Sequence, residues 1–147
     1  MKQDIWKQFG LTKPRKLRYS GLQGVLWYVI SRYVRKSEFI QYDGYCVDGC
    51  GRRVEDWHLA DCGHFRSSKH VNTRFMRENL GLQRKDCNNP KWTPDASYGF
   101  GVTIDKRYGE GTAKRLFELS NQKGKEMNKA QLTEQIHKYL ALYNELP

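Results

Sequence analysis

Apolar residues recur at Leu22, Val25, Leu26, Val29, Ile30 and Tyr33, three or four positions apart, which predicts an amphipathic helix from Leu22 to about Ser37. Ser20-Gly21-Leu22-Gln23 places a hydroxyl and an amide at capping-box spacing ahead of it, each suited to satisfy the other's orphan backbone donor. Asp43-Gly44 opens a turn-rich stretch in which Cys46 and Cys50 flank a loop ending at Gly51. Trp57 to Phe65 reads as two short strands pivoting near Gly63, a hairpin. Arg74 to Leu82 is ambiguous in its pattern. From Asn88 onward a second helix is expected: Pro90 and Pro94 interrupt its start, and Thr93-Pro94 forms an N-cap with proline in the first turn. Gly99 and Gly101 lower its propensity and Gly109 stops it. Thr112 to Ser120 forms a short helix packing through Leu116 and Leu119. Asn128-Lys129-Ala130-Gln131 caps a last one, whose stripe of Leu132, Ile136, Tyr139, Leu140 and Tyr143 suits a core or a dimer face.

This order of elements predicts an α+β chain without internal repeats. Residues 1–21 form a basic arm, in which Pro14 argues against one continuous helix. Residues 22–147 form a single domain: a helix over 22–37, a metal-finger core over 44–108 and C-terminal helices over 111–146.

Charge adds a partner to that outline. The 147 residues carry a formal net charge of +10, which favours a polyanion. Residues 1–36 hold nine Lys and Arg against Asp4 alone. Residues 64–91 hold seven, Arg66, Lys69, Arg74, Arg77, Arg84, Lys85 and Lys91, against Glu78 and Asp86. Between these excesses Asp43, Asp48, Glu55, Asp56 and Asp61 make an acidic patch suited to surround a cation. The longest apolar run, Val25 to Ile30, is too short to span a bilayer, and Met1 is not followed by a signal-like core. The expected compartment is a reducing cytoplasm, where the four cysteines serve as metal ligands or core residues rather than disulfides.

The candidate chemistry sits in the second basic segment. Histidine is a base near neutral pH, and an asparagine carbonyl is a hard oxygen donor for magnesium or manganese. A base and a hard cation amid Arg and Lys are what phosphodiester hydrolysis needs. His64 is the candidate base. Asn88 is the candidate metal ligand, because a helix starting beside an anchored cysteine would fix its amide, and Asp61 is a second ligand. His70 and Asn79 serve as further ligands or orient His64 and substrate, and Arg66, Lys69, Arg74, Arg77, Arg84 and Lys85 contact DNA phosphates. Cys46, Cys50 and Cys87 offer three ligands to a structural zinc ion; Cys62, His58 or Asp86 supplies the fourth.

Cys46…Cys50-Gly51, Asp61-Cys62-Gly63-His64-Phe65, His70, Thr73-Arg74-Phe75, Asn79, Gln83 and Cys87-Asn88 together resemble the NinG (Rap) family of phage recombination proteins. Tyr108-Gly109-Glu110-Gly111-Thr112 and Leu116…Leu119 extend that resemblance over roughly residues 22–146. It implies a small ββα-metal (HNH-like, His-Me finger) core with zinc-knuckle cysteines, flanked by N- and C-terminal helices. The activity implied is divalent-metal-dependent cleavage of branched recombination intermediates, Holliday junctions and D-loops, in a bacterial host's cytoplasm. The Cys87-Asn88 pair is also similar to one in the phage junction resolvase endonuclease VII, which implies zinc on Cys87 and magnesium on Asn88. Two departures stand out: one extra residue separates Cys46 from Cys50, and Arg84 follows Gln83 where the family has a cysteine. The usual pattern also sets a metal ligand immediately before the base, a role Gly63 cannot fill, so His64 stands as base or ligand. The expected function is a structure-specific DNA endonuclease using magnesium or manganese, working alone or as a homodimer. The alternatives are a generic HNH nuclease on duplex or single-stranded DNA and a non-catalytic, zinc-stabilised DNA-binding module.

Overall fold

In the computed structural model, which describes residues 4–89 and 96–147, the chain is α+β, with five helices and one two-stranded antiparallel sheet among those residues. It divides into two compact units, one from residues up to Tyr33 together with Met127–Pro147, the other Val34–Glu126.

In the first unit the basic segment begins with a short helix, α1 (Ile5–Gln8), because the Asp4 carboxylate accepts the Trp6 N–H at 3.0 Å. Trp6 is buried edge-on against Tyr28, so this part of the expected arm is anchored rather than bare. The helix α2 (Gly21–Gln41) buries Val25, Leu26, Val29 and Ile30, the stripe expected of it. Near the C-terminus, α5 (Lys129–Asn144) starts at a complete capping box between Asn128 and Gln131. Leu132, Ile136 and Tyr139 are buried, the Tyr139 ring packs tilted against Tyr33 with centroids 5.5 Å apart, and Tyr143 accepts from Arg32 at 2.9 Å. Three of the five residues of the C-terminal stripe are thus core of this unit, and Leu140 and Tyr143 are half-buried.

In the second unit α2 continues past Ser37 to Gln41, further than periodicity indicated. The reason is Glu38. Fully buried, its carboxylate accepts the Leu82 N–H at 2.9 Å and pairs with Arg77 at 2.7 Å and Arg107 at 2.8 Å. A charge so deep requires partners of this kind, and they tie the end of α2 to the elements around it.

The hairpin differs from the one expected over residues 57–65. Trp57–Leu59 is a 3-10 turn, capped by the Asp56 side chain on the His58 N–H at 2.9 Å. The strands are β1 (Asp61–His64) and β2 (Leu80–Gln83), paired Asp61 to Gln83, Cys62 to Leu82, Gly63 to Gly81 and His64 to Leu80. Gly63 lies within β1, where its lack of a Cβ admits the Gln83 side chain. Every residue of β2 is buried, so the strand has no polar face and no alternation to announce it. The connection between the strands is held by Asn79, wholly buried: its Oδ1 accepts from Arg66 N at 2.7 Å, and its Nδ2 donates to the carbonyls of Arg66 and Thr73, each at 3.0 Å.

After β2, residues 84–89 turn. The helix expected from Asn88 is α3 (Ala96–Tyr108) in the structure, and the Thr93-Pro94 cap lies outside the described residues. Its glycines oppose helix propensity but allow contact: a Cβ on Gly99 would strike the Asp48 carbonyl, and one on Gly101 would press the Phe65 ring. After Gly109, α4 (Thr112–Ser120) matches its expected bounds. Val47, Phe100, Ile104 and Leu116 form the core between these elements, with Phe65, Met76 and Ala113 packed against it.

Candidate metal centre

Residues 44–54 form a tight knuckle. Tyr45 pairs with Arg53, Cys46 N donates to Arg52 O at 3.0 Å, and Val54 N donates to Gly44 O at 2.8 Å. Gly44, Gly49 and Gly51 have φ of 75°, 74° and 78°, a left-handed conformation that strains any side chain but is open to glycine. Val47 N reaches Leu82 O at 2.8 Å, fixing the knuckle to β2. On the other side of the site, Asn88 N donates to Arg84 O at 3.0 Å, and this helical turn carries Cys87 inward. Gln83 Nε2 donates to the Cys87 carbonyl at 3.3 Å.

These two segments bring Cys46, Asp48, Cys50 and Cys87 together, with one ligand atom from each all within 4.8 Å of one another. Cys50 Sγ and Cys87 Sγ are 3.6 Å apart. A tetrahedral ion with zinc–sulfur bonds of about 2.3 Å holds its sulfurs roughly 3.8 Å apart, so the spacing fits. Three sulfurs and one carboxylate oxygen suit zinc better than a hard cation. Such a site carries two negative charges beyond those the ion neutralises. The Arg52 guanidinium, 3.2 Å from Cys87 Sγ, and the Arg84 backbone N–H, 3.3 Å from Cys46 Sγ, are placed to offset them.

Protonation follows from the same geometry. Burial, reinforced by Asp48, pushes the Cys46 thiol far above its ordinary value and the Cys87 thiol up to about 12. Burial works against the Asp48 charge too, yet the thiols of Cys46, Cys87 and Cys50 and the Cys50 N–H donate to it and hold it below the usual carboxylate range. Without a cation the Cys46 and Cys87 thiols keep their protons and share Asp48; a bound cation displaces those protons.

The fourth member of the cluster is therefore Asp48, which sequence reasoning placed only in the general acidic patch. It lies midway between Cys46 and Cys50 and is followed by Gly49, a position whose ligand role spacing alone does not mark. The residues considered for that position lie elsewhere. Cys62 is buried on β1 opposite Leu82, His58 pairs with Asp56 at 2.8 Å, and Asp86 pairs with Arg52 at 2.8 Å and Arg84 at 3.0 Å.

Next to Cys87, the amide of exposed Asn88 donates to Asp61 Oδ2 at 3.0 Å, while Lys85 Nζ lies 2.8 Å from Asp61 Oδ1. The two expected hard-cation ligands are thus adjacent, with an ammonium beside them. His64 is not brought to them: three residues along β1 is about 10 Å, and odd spacing turns its side chain to the opposite face of the strand. Its Nε2 lies 3.1 Å from the Arg74 carbonyl, an acceptor only, so that nitrogen carries the proton and Nδ1 is the basic one. His70 is half-buried, and its carbonyl accepts the N–H groups of Thr73 and Arg74 in the strand connection.

The expected phosphate contacts divide by placement. Arg77 is engaged with Glu38 and with the Leu80 carbonyl at 3.1 Å, and Arg74 with the Ser68 carbonyl at 2.7 Å and Glu126 at 3.4 Å. Arg66 lies over the Phe117 ring at 4.4 Å and donates to Ser120 Oγ at 2.8 Å. Lys69 and Lys85 are exposed, and Arg84 is partly so. Among the described residues no helix is long and apolar enough to cross a membrane.

No family model matches this chain, and no curated protein or solved structure matches it either.

Proposed function

We propose that the chain is a metal-dependent DNA endonuclease of the ββα-metal type, with a zinc knuckle as its structural centre and branched DNA as its substrate. The observation that carries the reading is the link between two sites: the turn that delivers Cys87 to the knuckle sets the Asn88 amide 3.0 Å from Asp61. A half-turn of that amide presents its oxygen beside the carboxylate, and these two donors would hold magnesium or manganese. Such an ion supplies charge neutralisation on the phosphate and an activated water. The chain's own residues bind and orient: Lys69, Arg84 and Lys85 meet phosphates, and Asn79 fixes the strand connection that carries Arg66 and Lys69. Order of elements supports the reading, since β1, β2 and α3 follow one another around the knuckle. Branched DNA follows from the resemblance and from two basic regions able to engage different arms.

A second reading, a zinc-stabilised DNA-binding module without hydrolysis, is favoured by the separation of His64 from Asp61 and by the Lys85 ammonium beside that carboxylate. Cleavage of four-way junction, duplex and single-stranded DNA, with magnesium, manganese or EDTA, decides between them. Junction cutting that EDTA abolishes is the expected result. Binding with no cutting under any metal establishes the second reading, and equal cutting of linear duplex the generic nuclease. Within the first reading, Asp61→Asn and Asn88→Ala each lower cleavage by at least about 100-fold, the upper end of what outer-shell changes do at metal sites. A His64→Ala variant whose pH–rate profile keeps its acidic limb removes His64 from proton transfer.

A further inference from the structure

The first unit contains an open pocket of about 390 Å³, within the range of small-molecule sites, lined by residues of the 14–18 segment and of α2. Its walls include Leu17, Trp27 and Tyr28, and its polar groups include Lys16, Arg18 and Ser31. The segment is held close to the helix, because Gly24 lacks the Cβ that would strike the Tyr19 carbonyl. The Arg18 guanidinium lies over the Trp27 ring, 5.3 Å from its centroid, so this aromatic wall already carries a positive charge against one face. No carboxylate occurs in the sequence between Asp4 and Glu38, while eight Lys and Arg do. Among the described residues lining the pocket there is no carboxylate.

We infer that this pocket receives an unpaired nucleotide of single-stranded DNA, its base on Trp27 and Tyr28 and its phosphate on Lys16 and Arg18. Aromatic walls accept any base by stacking, and neighbouring cations accept the phosphate that follows it. The remaining cations of the segment, Lys13 and Arg15 among them, exceed what one free nucleotide would use and suit the repeated phosphates of a strand. The inference shares with the proposed function a DNA partner, but requires neither Asp61, Asn88 nor hydrolysis.

Its test is fluorescence anisotropy of a labelled twelve-nucleotide oligothymidylate with the full chain in EDTA, where cutting is absent. Trp27→Leu is expected to weaken binding about tenfold, within the range of base–aromatic stacking. Trp27→Phe keeps an aromatic wall and should stay within about threefold of the parent. Arg18→Gln should weaken oligonucleotide binding and flatten its salt slope by about 0.7, one phosphate's share for a single strand. A blunt duplex should bind the Trp27 variants as it binds the parent. Unchanged oligonucleotide affinity in Trp27→Leu overturns the inference, as does an equal loss on duplex, which would reduce the pocket to general electrostatics. Thymidine monophosphate competing at the oligonucleotide's own affinity overturns the strand as occupant. Loss of cutting in the nuclease assay with these binding results intact counts against hydrolysis and leaves the pocket standing.

Discussion

Asp48 acts twice at the metal centre. Its carboxylate accepts the Cys50 N–H at 3.0 Å, which shapes the knuckle, and it offers an oxygen toward the three sulfurs. Asp48→Ala should therefore weaken zinc binding by at least about 100-fold in competition with a chromophoric chelator, whereas Cys62→Ser should leave it unchanged. A reversed result would return Cys62 to the ligand set. The pH response of the metal-free protein follows from the thiols. In the unfolded chain they ionise from about pH 8.5, while in the folded chain Cys87 holds its proton to about 12 and Cys46 beyond. Over that window the folded chain binds more protons than the unfolded one, so stability falls as pH rises. Urea titrations at about pH 7.5 and about pH 9.5 should show that fall without zinc and little of it with zinc bound, since coordinated thiolates have no proton left to lose. Three of the four cluster members were legible because cysteine is a soft metal ligand, although Cys62, offered with them, is a core residue. Asp48 was hidden, since its selection depends on the left-handed turn at Gly49 and on a backbone bond that spacing does not reveal. Glu38 was hidden too, although it falls four residues beyond Val34 on the buried face of α2, where an acid signals a partner in the core.

At the level of elements, the last helix's cap, the α4 bounds and the α2 stripe were read correctly, where the forces are local. The α4 bounds and the Asn128 to Gln131 capping box depend on neighbours in sequence, and both match. The hairpin depends on distant neighbours. Leu80-Gly81-Leu82-Gln83 is buried throughout, and its partner strand lies across a connection that Asn79 organises. The third helix shows packing overruling propensity. On an exposed helix, alanine in place of glycine stabilises by up to about 1 kcal/mol. At Gly99 the new methyl would meet the Asp48 carbonyl, so Gly99→Ala should destabilise the protein and weaken zinc binding together. Thermal melts with and without zinc check this, and a stabilised variant would mean that α3 stands further from the knuckle. Glu38→Ala probes the other tie between elements. It strands two guanidinium groups and the Leu82 N–H, and should cost about 3–5 kcal/mol in urea unfolding.

For the whole molecule the decisive quantity is charge. If DNA is the partner, a net charge of +10 makes its affinity a function of ionic strength. If about six phosphates are neutralised, log affinity should fall against log salt with a slope near −5, and a flat response would argue against nucleic acid as the partner. Four-way junctions should bind more tightly than linear duplex of the same arms at matched salt, because contacts on separate arms reinforce one another. Composition raised the expectation of a polyanionic partner. It could not show which cations remain available, since Arg77 and Arg107 are held by Glu38 inside the second unit.

The short gap between the sulfurs of Cys50 and Cys87 also bears on the chain's redox chemistry. At 3.6 Å the two thiols are about 1.6 Å from the length of a disulfide bond, and Cys50 is exposed to solvent. Oxidised glutathione reaching Cys50 would form a mixed disulfide there, and Cys87 could then displace glutathione to close an internal bridge. The ion and the bridge are mutually exclusive ways of joining the same pair. Protein purified without zinc or reductant should lose two hydrogens by mass and refuse zinc until a thiol reductant is added, whereas zinc-loaded protein should resist the same oxidant.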